Sequence, residues 1–495
     1  MEYKRVPIIL KRFDFGSKMK ICQEHSKEVM SINGLINIYE LRQKPLPWEL
    51  ETFALFAVLT TWEYSNRSLE DRQGRRQFVN IINAIKNYEH PKLKITSDNK
   101  GFLKRFLIVT GLTQFPIQDD IRFKLYRYSY IFNFENVKVN MKQQFVEKFG
   151  CEYDEFKKLG FIIQCMFSKE LNRQIDPSIM DYVFKKYNHV IKHLLMDRED
   201  FVSLQKKVTK DIPQYMYGYN YFYQFPFIRY NQDIFLPLPH LIIHSVTSSL
   251  LSRLTKGNNQ LRSLFGKEVL ESYLLHLSNL CESIDEVKSE YGYNFKRNGR
   301  RTLDIMIRKG NQCLMMDSKS MSPKFGLRDL TEKDVEDTVD RMVENVMQVY
   351  RHITERFQSE YYPFGTKIDF SKENVFGAVV LHEDNYIQRE IIMMRAAEEL
   401  DISHESDEYK YLCSNVKLIS LYEFEQMMFR KDDVLQLLTD NRDNPIKWFD
   451  LTFIPPAEEG DKILRDDVSP TIESMQRIVF DFAQELVEVG IISQR

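Results

Sequence analysis

Apolar positions in residues 1–210 recur mostly every three to four residues, the period of helices that bury one face. Residues 47–62 are apolar-rich, with Phe53, Leu55, Phe56, Val58 and Leu59. Residues 78–88 set Val79, Ile82, Ile85 and Tyr88 at helical spacing, and 145–167 and 179–195 read the same way. The pattern changes over 211–254. Tyr215, Tyr217, Tyr219, Tyr221, Tyr223, Phe225 and Phe227 alternate, the period of a strand with one aromatic face. Residues 227–230 and 234–236, joined by Asn231-Gln232-Asp233, predict a hairpin that Pro237 and Pro239 end, followed by a helix over 241–254.

From residue 255 to 440 helices and strands mix, as in an α/β domain. The pattern predicts a helix over 261–280, short strands over 303–307 and 313–317, and a long amphipathic helix over 331–357 with Thr331 as its cap. Apolar strands follow over 375–381 and 416–419, then a helix from 421 to 428. The tail, 441–495, opens with a loop rich in Asp, Asn and Pro. It closes with a helix that has Ser469 at its cap and Pro470 in its first turn.

Composition narrows the function classes. The 495 residues suggest about three structural units. With 69 basic and 71 acidic residues the net charge is −2, so nucleic-acid contact needs local patches or a metal that offsets phosphate charge. Six cysteines lie at 22, 151, 165, 281, 313 and 413 without C-x-x-C spacing, which suggests reduced thiols in a cytoplasmic protein rather than a zinc knuckle or redox dithiol. No apolar run suits a signal peptide or a membrane span. His189/His193 and His240/His244 have the four-residue spacing of helical zinc ligands but lack the Glu of H-E-x-x-H, so they read as ordinary helix histidines. The phosphate loop G-x-x-x-x-G-K-[ST] and the elbow G-x-S-x-G are both absent.

The chemistry concentrates in Arg301-Thr302-Leu303-Asp304-Ile305-Met306-Ile307 and Cys313-Leu314-Met315-Met316-Asp317-Ser318-Lys319-Ser320. Asp317 and Lys319, two apart on a strand, face the same way, and Asp304 is expected on the partner strand. Two adjacent carboxylates repel and tend to hold a proton, a conflict that a divalent cation removes. Mg²⁺ prefers oxygen ligands and is held by one or two carboxylates, water and substrate phosphate. The compact ammonium of Lys319 can orient water or stabilise developing charge. Lys296, Arg297, Arg300, Arg301, Arg308 and Lys309 crowd around the first of these strands and are candidates for phosphate contact.

This arrangement resembles the PD-(D/E)XK nuclease superfamily, whose core has an acidic helix, an Asp on one strand and (D/E)-x-K on the next. Asp304 matches the Asp, although Leu303 stands where the motif has Pro. Asp317-Ser318-Lys319 matches D-x-K. Glu271 is the first choice for the helix carboxylate, with Glu268 on the same face as the alternative. Gln348 resembles a polar residue that many members place beside the site. The resemblance covers about 180 of the 495 residues and leaves 1–210 untouched. It implies a helical N-terminal region followed by a restriction-endonuclease-like α/β core, with a central mixed sheet flanked by helices. It further implies hydrolysis of phosphodiester bonds, most readily of double-stranded DNA. Asp304, Asp317, Glu271 and the Ser318 carbonyl would hold Mg²⁺ or Mn²⁺, and Arg297, Arg300, Arg301 and Gln348 would contact nucleic acid. Free-standing chains of this layout look like prokaryotic defence or restriction effectors that act as homo-oligomers or with a regulatory partner. A ribonuclease and a catalytically silent binding or assembly protein remain the competing readings.

Overall fold

The computed structural model describes residues 1–32, 34–35, 44–60, 66–93, 101–114, 120–171, 177–357, 361–365, 367–429, 433–440, 442 and 470–492. The chain forms two compact units, 1–257 with 470–495, and 258–469. The aromatic segment 211–254 and the last helix, Pro470–Glu488, are therefore parts of the first unit and not segments of their own. Glu485 of that helix meets Tyr182 and Lys186. Ser469, expected as the cap of the helix, lies outside the described residues.

The first unit is mainly helical, as the 3.6-residue periodicity predicts. Its helices are shorter than the apolar runs because single residues interrupt them. Gly150, at φ 72°, splits 145–167 into Met141–Phe149 and Tyr153–Phe167, a left-handed cap that glycine adopts at little cost. The run 179–195 divides into Pro177–Lys186, Asn188–Ile191 and a strand, Leu195–Asp197. That strand pairs in parallel with Phe227–Tyr230, which pairs antiparallel with Asp233–Phe235 across the expected hairpin turn at Asn231.

The alternating aromatics do not form a strand. Ile212–Tyr215 and Tyr221–Tyr223 are 3₁₀ turns, and strand pairing begins only at Phe227. Tyr221, Phe222 and Tyr223 are all buried, so the core takes consecutive residues instead of one alternating face. Tyr215, Tyr219 and Phe225 pack against the same core.

The second unit is α/β. Its sheet runs, in chain order, through β1 (Glu286–Ser289), β2 (Ile305–Lys309), β3 (Gln312–Lys319), β4 (Val375–Leu381) and β5 (Val416–Ser420), and its spatial order is β5-β4-β3-β2-β1. β1, β2 and β3 pair antiparallel, whereas β3, β4 and β5 pair in parallel. The sheet is mixed, as expected. Every residue of β4 is buried, which suits an apolar run inside a parallel sheet.

Two helices frame it. The first begins with Asn258 capping Asn259–Leu264, widens into a π turn over Phe265–Leu270 and continues as α1 (Glu271–Leu280). It packs against β1 and β2. The second, α2 (Glu332–Arg351), crosses from β3 to β4 and covers β3, β4 and β5. Gly377 on β4 allows the close approach, because a Cβ there would lie 2.3 Å from Val349 Cγ1. Thr331 precedes α2 without a side-chain capping bond, and Glu332 and Asp334 supply negative charge to its first turn instead. Between β1 and β2 a small hairpin pairs Gly292–Phe295 with Asn298–Arg301.

Candidate active site

The sheet brings the two aspartates together at the end of the β2–β3 ladder. Met316 pairs with Ile305 in the last rung, and the next residues along are Asp317 and Asp304. Asp317 lies within β3 as expected. Asp304 does not lie on β2: it occupies a bend one residue before the strand starts. Its Oδ2 accepts hydrogen bonds from Ser318 N (2.7 Å) and Ser318 Oγ (2.8 Å), so the middle residue of D-x-K locks the first acid in place.

Asp317 is 3% exposed. Burial, then the neighbouring Asp304, push its carboxyl up to about 6, against the opposing pull of Lys319. Lys319 Nζ stands 2.7 Å from Asp317 Oδ2. That oxygen is fully buried, with the Lys319 ammonium beside it. The ammonium offsets the charge of the Asp317 carboxylate.

Glu271 opens α1 immediately after the π turn. Burial, followed by Asp304 and Glu290, push it up to about 8, while Lys267 opposes and Glu268 adds to the shift. Asp304 is the largest charged contributor to the Glu271 shift. Gly266 in the π turn lets the helix come close to the end of β3: a Cβ there would lie 2.8 Å from Ser320 Oγ, one residue past Lys319. π turns recur at functional sites because they displace one helical residue from its regular position.

Glu290 is a member of the cluster that no sequence motif marks. It follows β1, its side chain is 17% exposed, and it pairs with Arg301 at 2.5 Å. Only its place at the end of an edge strand, before a basic hairpin, could have pointed to it.

The other candidates are placed less centrally. Gln348 is exposed on α2 and makes no hydrogen bond to the acids among the described residues. One turn earlier, Asn345 Nδ2 reaches Met321 Sδ at 3.7 Å, two residues beyond Lys319. Part of the basic crowd is already paired: Arg301 with Glu290, Arg308 with Glu286 at 3.1 Å, and Lys309 with Asp433 at 2.8 Å. Arg297 and Arg300 stay exposed on the hairpin, as does Lys296. Lys296 and Arg297 form its two-residue turn with φ of 47° and 66°, a conformation that usually selects Asn-Gly. His240 proves a buried structural histidine, with Nδ1 2.7 Å from Ser26 Oγ and Nε2 3.6 Å from Glu51 Oε1.

Asp304 raises both the Asp317 and the Glu271 carboxyl, and Lys319 pairs with Asp317. No helix among the described residues is long and apolar enough to cross a membrane. Comparison with family models, curated proteins and solved structures finds no match to this chain.

Proposed function

We propose that the second unit is a metal-dependent nuclease that hydrolyses phosphodiester bonds, most readily of double-stranded DNA. The observation that carries this reading is Asp317 paired with Lys319 next to Asp304, with the Asp317 and Glu271 carboxyls both raised by burial and by the charge of Asp304.

Asp304, Asp317, Glu271 and the Ser318 carbonyl would hold Mg²⁺ or Mn²⁺. A bound cation there supplies a water of lowered pKa and offsets charge on the leaving oxygen. The chain's own residues do the rest. Ser318 fixes the Asp304 carboxylate through two hydrogen bonds. Lys319, half-buried and facing Asp317, orients the attacking water and meets charge that develops on the phosphate. Glu271, its carboxyl raised by burial and by Asp304, would give up its proton on joining such a site. Arg297 and Arg300 on the hairpin give phosphate contacts that position the duplex.

A double-strand cut needs two such sites, so the working form is a homo-oligomer or a complex with a regulatory partner, as in a prokaryotic defence or restriction effector. Calorimetric titration tests the cation site. Wild type should take up Mn²⁺ and Mg²⁺, and Asp317→Ala should lose most of that heat. Absence of binding in wild type would leave a silent scaffold.

A further inference from the structure

The helical unit holds a second group of metal-ligating side chains, far in sequence from the acids. Gly150 ends the helix Met141–Phe149 in a left-handed turn, and Cys151 follows it. Glu155 lies in the first turn of Tyr153–Phe167, and His189 lies in the short helix Asn188–Ile191. One ligand atom from each, a sulfur, a carboxylate oxygen and an imidazole nitrogen, falls within 4.8 Å of both others. Tetrahedral zinc, with bonds of about 2.0–2.3 Å, places its ligand atoms roughly 3.3–3.8 Å apart. The three are therefore close to coordinating distance, and the move needed is within the reach of side-chain rotation.

His189 Nε2 already contacts Glu155. A surface His–Glu pair alone would be ordinary. The thiol is what exceeds that. Cys151 is half-buried and directs its Sγ only weakly, at 3.8 Å, to the Phe149 carbonyl. Burial, then Glu155, push it up to about 11, while Lys192 opposes. A half-buried thiol beside a carboxylate and an imidazole is a donor set that a borderline-soft cation satisfies and Mg²⁺ does not.

We propose that Cys151, Glu155 and His189 bind one zinc ion, with water in the fourth position. The ion would tie the Tyr153–Phe167 helix to Asn188–Ile191, an element that follows it in the same unit. It is separate from the oxygen-only cluster of the other unit and does not depend on nuclease activity.

Cobalt(II) is the probe, because a cysteine thiolate bound to Co²⁺ gives a charge-transfer absorption that carboxylates cannot. The full chain, stripped with chelator, should develop that band and saturate at one equivalent, and Zn²⁺ should bleach it. Cys151→Ser should abolish the band. His189→Ala should weaken binding by at least about tenfold; that side chain is 44% exposed, so the variant keeps its core. Asp317→Ala should retain the full band, which separates this site from the acids. A wild-type titration without the band would overturn the proposal. So would unchanged Co²⁺ affinity in His189→Ala, even if Cys151→Ser failed to fold.

Discussion

Asp304 and Ser318 are joined twice, because one carboxylate oxygen of Asp304 accepts from both the amide and the hydroxyl of Ser318. The middle residue of Asp317-Ser318-Lys319 is therefore a positioning residue for the acid on the neighbouring segment. Ser318→Ala removes one of the two bonds and keeps the other. It should cost about 1 kcal/mol of stability. Cleavage should fall several-fold rather than vanish. Thermal melting and a Mg²⁺ titration of activity check this, since a loosened Asp304 should raise the metal concentration needed for half-maximal rate.

The raised carboxyls give a pH dependence with a definite sign. Asp317 at about 6 and Glu271 at about 8 both sit above their ordinary values. The folded chain therefore binds more protons than the unfolded chain between about pH 4 and 8, and stability falls as pH rises through that window. In EDTA at pH 8, Asp317→Asn should melt above wild type, by roughly 3–6 °C. At pH 4 the two should coincide. Added Mg²⁺ should raise the wild-type melting temperature at pH 8 and leave Asp317→Asn little changed. A destabilised Asp317→Asn at pH 8 in EDTA would mean that Asp317 and Lys319 form a net stabilising pair instead.

The hairpin arginines differ in their freedom. Arg301 is held by Glu290, whereas Arg297 and Arg300 are exposed and form no ion pair among the described residues. Charge reversal at Arg297 and Arg300 together should weaken duplex binding at low salt and flatten its salt dependence, by about 0.9 in slope for each phosphate no longer neutralised. Reversal at Arg301 should do less to the slope and more to the site, because it strands Glu290 beside Glu271. Binding measured against salt concentration, with catalysis blocked by Asp317→Ala, separates the two effects.

Gly266 and Ser320 approach closely where the π turn meets the end of β3. Gly266→Ala should cost about 1–3 kcal/mol and lower activity, because Ser320 must shift beside Lys319. Ser320→Gly in the same chain should recover much of both losses. Non-additivity in that double-mutant cycle is the signature of direct contact.

Most of the second unit is legible in the sequence. The buried run Val375–Leu381 and the amphipathic helix Glu332–Arg351 announce themselves by period, and D-x-K falls at the end of a strand as expected. The pattern puts Asp304 rightly beside Asp317 but wrongly on a strand, because an apolar neighbour, Leu303, extends the strand pattern through what is a bend. Glu290 carries no motif, since it reaches the site by tertiary packing, and only its place at the end of an edge strand hints at it. The aromatic alternation over 215–227 misleads for a related reason. Alternation describes one face, and a core that surrounds the chain buries neighbours on both faces, as at Tyr221, Phe222 and Tyr223. The Cys151, Glu155 and His189 group also escapes, because its spacing follows no motif and its members meet only after two helices pack.

The site at Asp317 and Lys319 is proposed to cut nucleic acid with a divalent cation. This is tested most directly by incubating the protein with supercoiled plasmid, linear duplex, single-stranded DNA and RNA, each with Mg²⁺, Mn²⁺ or EDTA. Wild type should cut at least one substrate, duplex DNA first, only when metal is present. Asp317→Ala and Lys319→Ala should fall by at least about 100-fold while keeping the wild-type circular dichroism. Cutting that persists in EDTA, or that survives intact in both variants, would contradict the account.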